Sequence, residues 1–242
     1  MPLVFSPLSE EVLDSPPKRL HPRCAFLMRQ IGDAPALDLR MVELLAQVFE
    51  GRGITILDAG ASTGGKDFLE RILGLVRGTG FTVAVFSHET RPTAMANIAL
   101  ELGFAAMCGK PLMILKSKEA KAPSDLTRTD WIDYEPADEG AFKAKIALAI
   151  DGVEDLAGLE ETVLEVALAA PVMDCAVALE RVTKAFLITA NEDLIAVGEE
   201  ISERIVGAGA VEGVADLDRL RREAATFTRQ ARQSLRPPRR PA

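Results

Sequence analysis

Two polar side chains four residues apart, Asn97 and Glu101, form the most informative pattern in the chain. They lie in the run NIALELGFA (97–105), which is followed by a Gly-Lys-Pro turn at 109–111. Residues four apart share one face of a helix, so an amide and a carboxylate would project together while apolar residues cover the opposite side. The predicted helix begins just after a strand, so this pair would border the crevice in which α/β folds bind ligands.

Short apolar runs that alternate with helical patterns must position this pair. The predicted strands are 24–28, 54–57, 81–86, 112–115 and 131–134. The predicted helices between and after them are 37–49, 67–76, 93–108 and 139–150. Alternating strands and helices favour parallel pairing. The fold class expected is therefore α/β, with a doubly wound, flavodoxin-like sheet of five parallel strands and a small C-terminal helical module.

The expected domain organisation has four parts: an N-terminal arm (1–23), the α/β domain (24–151), the helical module (152–235) and a basic disordered tail (236–242). Within the module, apolar residues at steps of three and four predict one amphipathic helix over about 172–206, with Ala190 filling a gap in its stripe. A further helix is expected from Asp216 to about Gln233. The stripe has two interpretations, packing in a core or a homodimer interface. We expect a homo-oligomer formed through these C-terminal helices.

The pattern at 97–111 resembles the "N-x-x-x-E-L-G-x-A … G-K-P" motif of nucleoside 2-deoxyribosyltransferase-like proteins, a superfamily that is structurally similar to TIR domains. The similarity covers about residues 24–150. It implies that Glu101 is catalytic and attacks or stabilises the anomeric carbon as an N-glycosidic bond breaks, since an oxocarbenium-like transition state is stabilised by a carboxylate. It also implies that Asn97 hydrogen-bonds the ribose or the glutamate.

The same resemblance implies contacts from the end of the first strand and the loop that follows it. Met28, Arg29 and Asp33 would touch the base or the ribose, although Asp33 is equally a turn or capping residue. Arg91 precedes the helix of Glu101 and could meet a phosphate.

The end of the third strand departs from the family pattern. Transferases of this family commonly carry an aspartate there, whereas this chain has Ser87. The departure disfavours deoxyribosyl transfer. Glu89, His88 and Asp58 all remain candidates for donating a proton to the leaving base, and the sequence does not choose among them.

A second motif follows the second strand, where GASTGGKD (60–67) nearly matches a P-loop. Asp67 replaces the serine or threonine that would bind magnesium, which argues against an NTPase. The amide of Gly60, the hydroxyl of Ser62 and the amine of Lys66 could still hold a phosphate or ribose at a helix N-terminus. The alternative is a plain glycine turn.

Composition excludes several classes of protein and site. The net charge of −8 argues against a nucleic-acid partner. Three scattered cysteines and two histidines predict no metal site. No cofactor is expected, although NAD could be a substrate. The N-terminus does not read as a signal peptide, and no apolar run reaches the ~20 residues that span a membrane, so we expect a cytoplasmic protein without a membrane partner.

These observations lead to one expected function and two alternatives. The expected function is cleavage of an N-glycosidic bond in a nucleoside, nucleotide or NAD-like molecule, by an N-glycosidase or a deoxyribosyltransferase-like enzyme. The first alternative is a TIR-like NAD glycohydrolase. The second is a nucleotide sensor without catalytic activity that signals through its helical module.

Overall fold

The computed structural model describes residues 17, 19–61, 68–121, 131–169, 175–207 and 217–236. Over these residues the chain forms a parallel five-stranded sheet in the order β2-β1-β3-β4-β5. The strands are β1 (His21–Met28), β2 (Thr55–Asp58), β3 (Thr79–Phe86), β4 (Leu112–Ser117) and β5 (Trp131–Tyr134). This order is the flavodoxin-like one, so the predicted fold class is confirmed.

Helices cover both faces of the sheet, and three more follow at the C-terminus. They are α1 (Ala36–Gly51), α2 (Phe68–Gly78), α3 (Pro92–Met107), α4 (Glu139–Ala169), α5 (Cys175–Thr189), α6 (Asp193–Gly207) and α7 (Leu217–Ser234). In β3, Val83 and Val85 pack with α1 and α4, whereas Ala84 and Phe86 pack with α2 and α3. Every residue of this central strand is buried, which explains why its sequence is mostly apolar and does not alternate between apolar and polar residues.

All five predicted runs are strands, and their ends differ from the prediction by up to three residues. The first strand starts at His21, three residues before the predicted Cys24, so 21–23 belong to the sheet and not to an arm. Residues 1–16 of the predicted arm and 237–242 of the predicted tail lie outside the described part of the chain.

The helix predicted over 139–150 continues for a further 19 residues, to Ala169. Its buried side chains keep helical spacing past the expected end, through Val153, Ala157 and Leu164. Glycine inside a helix costs only ~1 kcal/mol relative to alanine, so Gly152 does not stop it. The predicted boundary at 151/152 therefore falls inside a continuous helix.

The single helix predicted over about 172–206 is wrong, because the chain turns at residues 190–192 between α5 and α6. Ala190 has a φ of 58° and ends α5 instead of filling its stripe. The Asn191 Oδ1 atom then accepts a hydrogen bond from the Asp193 amide at 3.0 Å, which caps the start of α6. The last helix agrees with the prediction to within one residue at each end.

The helices α5, α6 and α7 share a core of their own, which includes an edge-to-face contact between Phe186 and Phe227. They are also anchored to the sheet. At Gly80 in β3, an added Cβ would lie 2.8 Å from the Leu187 carbonyl oxygen of α5, so glycine is needed for this close approach. Because Gly80 lies near the start of β3, α5 meets the amino ends of the strands. Among the described residues, no helix has the length and apolarity that a membrane span requires.

Candidate functional site

The helix that carries Glu101 begins at the carboxyl end of β3. Proline at its first position fits the fixed backbone angle of a helix start. Its apolar side packs over the sheet through Ile98, Leu102 and Ala105. Glu101 lies on the edge of that buried side and is only 9% exposed.

The environment of Glu101 favours its protonated form. Burial, and then repulsion from the carboxylate of Asp58, raise its pKa from 4.5 to about 7. Near neutral pH this side chain is therefore divided between acid and carboxylate. A buried glutamate with a perturbed pKa, close enough to the Asp58 carboxylate at the end of β2 to be repelled by it, is a candidate for chemistry.

Asp58 is held at the end of β2 by two neighbours. Its Oδ2 atom lies 2.7 Å from both Nε and Nη2 of Arg29, which follows β1. Its Oδ1 atom accepts the Gly60 amide at 2.7 Å, inside a short 3₁₀ turn at Ala59–Ala61. Adjacent parallel strands thus bring Arg29 and Asp58 together, and the pair places a fixed carboxylate near Glu101.

Hydrogen bonds tie the loop after β1 to the start of α3. The buried Gln30 side chain accepts the Arg91 amide at 3.0 Å and donates to the Asp33 carbonyl oxygen at 2.6 Å. Arg91 in turn donates from Nη2 to the Gly32 carbonyl oxygen at 3.0 Å. These hydrogen bonds hold the loop after β1 against the start of the helix that carries Glu101. Arg91, predicted to bind a phosphate, therefore has a hydrogen-bond partner within the protein.

A buried polar cluster lies behind this loop and centres on Asp38, in the first turn of α1. Thr90 donates its hydroxyl to Asp38 Oδ2 at 2.8 Å and accepts the Ser87 amide at 2.8 Å. Among the described residues, Asp38 Oδ1 has no hydrogen-bond partner. Burial raises the pKa of Asp38, while the hydroxyls of Ser87 and Thr90 act in the opposite direction. A carboxylate therefore does lie beside Ser87, but it comes from α1 and not from the end of β3.

The other two candidate proton donors are exposed. The Nδ1 atom of His88 lies 3.1 Å from Ser117 Oγ and 3.6 Å from a carboxylate oxygen of Glu119. Glu89 faces solvent, and its amide is bonded to Ser87 Oγ at 3.2 Å. Of the three candidates, only Asp58 acts electrostatically on Glu101.

The remaining predicted residues have different locations. Asn97 is exposed, one helical turn before Glu101. Met28 is fully buried among apolar residues beneath α2 and α3, so its side chain cannot touch a ligand in this arrangement. Asp33 is exposed, with a φ of 43° that marks a turn residue. The predicted ligands Ser62 and Lys66 lie outside the described residues.

Sequence reasoning missed Asp38 and Thr90. An aspartate in the first turn of a helix is ordinary because it complements the helix dipole. The sequence signal for a different role was faint: the site-facing loop 87–90 carries two hydroxyls, Ser87 and Thr90, that need a partner once they are buried.

Comparison with known proteins gave no support for any family: no family model, curated protein or solved structure matches the chain.

Proposed function

We propose that the protein cleaves the N-glycosidic bond of a nucleoside, nucleotide or NAD-like molecule, with Glu101 facing the anomeric carbon. One observation carries the proposal: Glu101 is a buried glutamate on the helix that follows β3, and burial together with the nearby Asp58 carboxylate raises its pKa to about 7. The resemblance of the run 97–105 to deoxyribosyltransferase-like enzymes supports the same chemistry.

In this reaction the bond between the sugar carbon and the base nitrogen breaks, and its electron pair leaves with the base. The sugar carbon becomes cationic, and the base nitrogen takes up a proton. The Glu101 carboxylate stabilises or captures that cation, and water then supplies hydroxide to the carbon and releases a proton. Only the ionised form of Glu101 can do this, so the form that acts on the substrate is the one that burial disfavours.

Asp58 and Arg29 would have supporting roles. The fixed negative charge of Asp58 makes the Glu101 carboxylate more basic and raises its attraction for a cation. Arg29 holds Asp58 in place through two 2.7 Å contacts. Asn97, exposed on the same helix one turn away, is free to hydrogen-bond the sugar hydroxyls.

The test is release of free base from a panel of nucleosides, nucleotides and NAD. We compare wild type with Glu101→Gln, which keeps the shape and removes the charge, and with Glu50→Gln, an exposed glutamate of α1. We expect base release by wild type and Glu50→Gln and a loss of at least 100-fold in Glu101→Gln. Equal turnover in Glu101→Gln would refute the role of Glu101.

The dependence of kcat/KM on pH is a second readout, because it reports the ionisation of the free enzyme. If Glu101 acts as a carboxylate, kcat/KM rises with pH and levels off above about 7. A fall through the same range would mean that Glu101 acts as the acid that protonates the base. The best substrate separates NAD cleavage from nucleoside cleavage, and binding without release of any base would favour the sensor alternative.

A further inference from the structure

A cavity of about 280 Å³ lies between the C-terminal helices and the amino ends of the strands. This is the opposite end of the sheet from Asp58. Its volume falls just below the roughly 300–1,000 Å³ of pockets that hold drug-sized ligands. Its apolar walls come from α5 and α7 and include Leu179, Leu187 and Phe227.

The charged side chains that line this cavity are Arg77, Lys110, Glu180, Lys184, Arg219 and Glu223. Lys110 lies two residues before β4. Its Nζ atom donates to the main-chain oxygens of Thr79 at 2.6 Å and Arg77 at 3.0 Å. Both acceptors are uncharged carbonyl groups. Among the described residues, no carboxylate lies within salt-bridge distance of Lys110. Burial lowers its pKa to about 7, and the nearby cations Lys184 and Arg77 act in the same direction.

The nearest other lysine adds positive charge. Lys184, from α5, lines the same cavity and repels Lys110. A salt bridge of 2.8 Å to Glu180 already neutralises Lys184. Both glutamates of the lining are paired with other cations, Glu180 with Lys184 and Glu223 with Arg219. Lys110 contacts main-chain oxygens instead, so no carboxylate of the cavity wall balances its charge. Unpaired charge in such surroundings is costly, and an anion in the cavity would relieve it.

We propose that this cavity binds a small molecule with an anionic head group and an apolar body, and that Lys110 is the counter-ion of the head group. A carboxylate and a phosphate share the required chemistry, since lysine binds either as a point charge. The site is separate from Glu101: Cys108, which also lines the cavity, lies seven residues further along α3 and its C-cap, about 10 Å along the helix axis. The proposal therefore does not depend on N-glycosidase activity.

Isothermal titration calorimetry on the full chain tests the proposal with four probes: octanoate, octyl phosphate, octanol and inorganic phosphate. We expect saturable binding of octanoate or octyl phosphate, and the tighter of the two identifies the head group. Octanol lacks the charge and inorganic phosphate lacks the apolar body, so each should bind at least tenfold more weakly. Octanol binding as tightly as octanoate would overturn the role of Lys110.

Two variants probe the two halves of the site. Lys110→Met removes the charge, and we expect it to weaken binding of the amphiphilic anion at least tenfold, whereas Lys118→Met, at an exposed lysine paired with Glu135, should not. Thr183→Phe fills the cavity from α5 and keeps Lys110. It should abolish binding while the circular dichroism spectrum stays that of wild type.

Should Lys110→Met fail to fold, Thr183→Phe alone decides the question. Absence of saturable binding of both amphiphiles to wild type would overturn the proposal, as would undiminished binding in a folded Thr183→Phe variant. Glu101→Gln should bind the amphiphile as wild type does, so a failure of this site and a failure of the N-glycosidase proposal are distinguishable.

Discussion

Replacing Glu101 with glutamine should stabilise the folded protein at alkaline pH, and this expectation does not depend on the proposed function. The folded state holds the pKa of this carboxyl at about 7, against an ordinary value of 4.5. A carboxyl group whose pKa is raised on folding favours the folded state while it is protonated. That contribution is fully present below pH 4.5 and is lost as pH rises through about 7.

The size of the effect follows from the two pKa values. Each pKa unit corresponds to about 1.4 kcal/mol, so a rise from 4.5 to about 7 corresponds to about 3 kcal/mol. Residual solvent access to the side chain makes this an upper figure. Glutamine has nearly the same shape and no charge, so Glu101→Gln should gain up to about 3 kcal/mol over wild type at pH 8 and almost nothing at pH 4.5.

Urea denaturation at pH 4.5, 6 and 8 measures this difference directly. The control is Glu50→Gln, which removes an exposed charge from α1 and should leave stability within about 0.5 kcal/mol of wild type at every pH. If Glu101→Gln shows the same difference in stability from wild type at pH 4.5 and pH 8, or is less stable than wild type at pH 8, folding does not raise the pKa of Glu101.

Three further predictions rest on other contacts. Asp58→Asn removes the charge repulsion but not the burial of Glu101, so the pKa of Glu101 should fall while remaining above 4.5. The stabilisation by Glu101→Gln at pH 8 should then be smaller in the Asp58→Asn background, and an unchanged stabilisation would contradict the electrostatic coupling between the two carboxylates. Gly80→Ala should destabilise the protein by about 1–3 kcal/mol because its Cβ would lie 2.8 Å from the Leu187 oxygen, whereas Gly152→Ala has open space and should be neutral or stabilising by up to about 1 kcal/mol. Thermal unfolding compares the two variants, and equal effects would refute the close packing of α5 on β3. Thr90→Val should destabilise the protein by about 1–3 kcal/mol because it removes the hydroxyl that donates to buried Asp38, whereas Thr162→Val, on an exposed helix surface, should change stability by less than about 0.5 kcal/mol. Urea denaturation measures both, and a loss of less than about 0.5 kcal/mol in Thr90→Val would count against the polar cluster.

The elements of the sheet could be read from the sequence because their signals are local. A fully buried strand such as β3 is an apolar run bounded by glycine and polar residues, and that pattern survives without knowledge of its neighbours. The C-terminal helices were harder to place. One apolar stripe continues across the turn at Ala190, since α5 and α6 pack into the same core, so periodicity alone could not show the break. The capping residue Asn191 was the available signal.

The site was only partly readable for a different reason. Glu101 was found because its neighbours along one helix form a pattern, and Asp58 because it ends a predicted strand. Asp38 belongs to the polar cluster through a contact with Thr90 that spans 52 positions of sequence. Its only local feature, a place in the first turn of α1, suits any acidic residue.

The contact between Asp38 and Thr90 also changes how the missing acid at the end of β3 should be understood. A carboxylate at that place need not come from the strand, because α1 starts beside the same edge of the sheet and delivers Asp38 to it. Asp38 shares its surroundings electrostatically with Arg29 and Glu89, so it belongs to the same network as the Asp58 pair. A motif defined by position along one strand would count this acid as absent. The contact with Thr90 places the Asp38 carboxylate beside the end of β3, although it is supplied by α1.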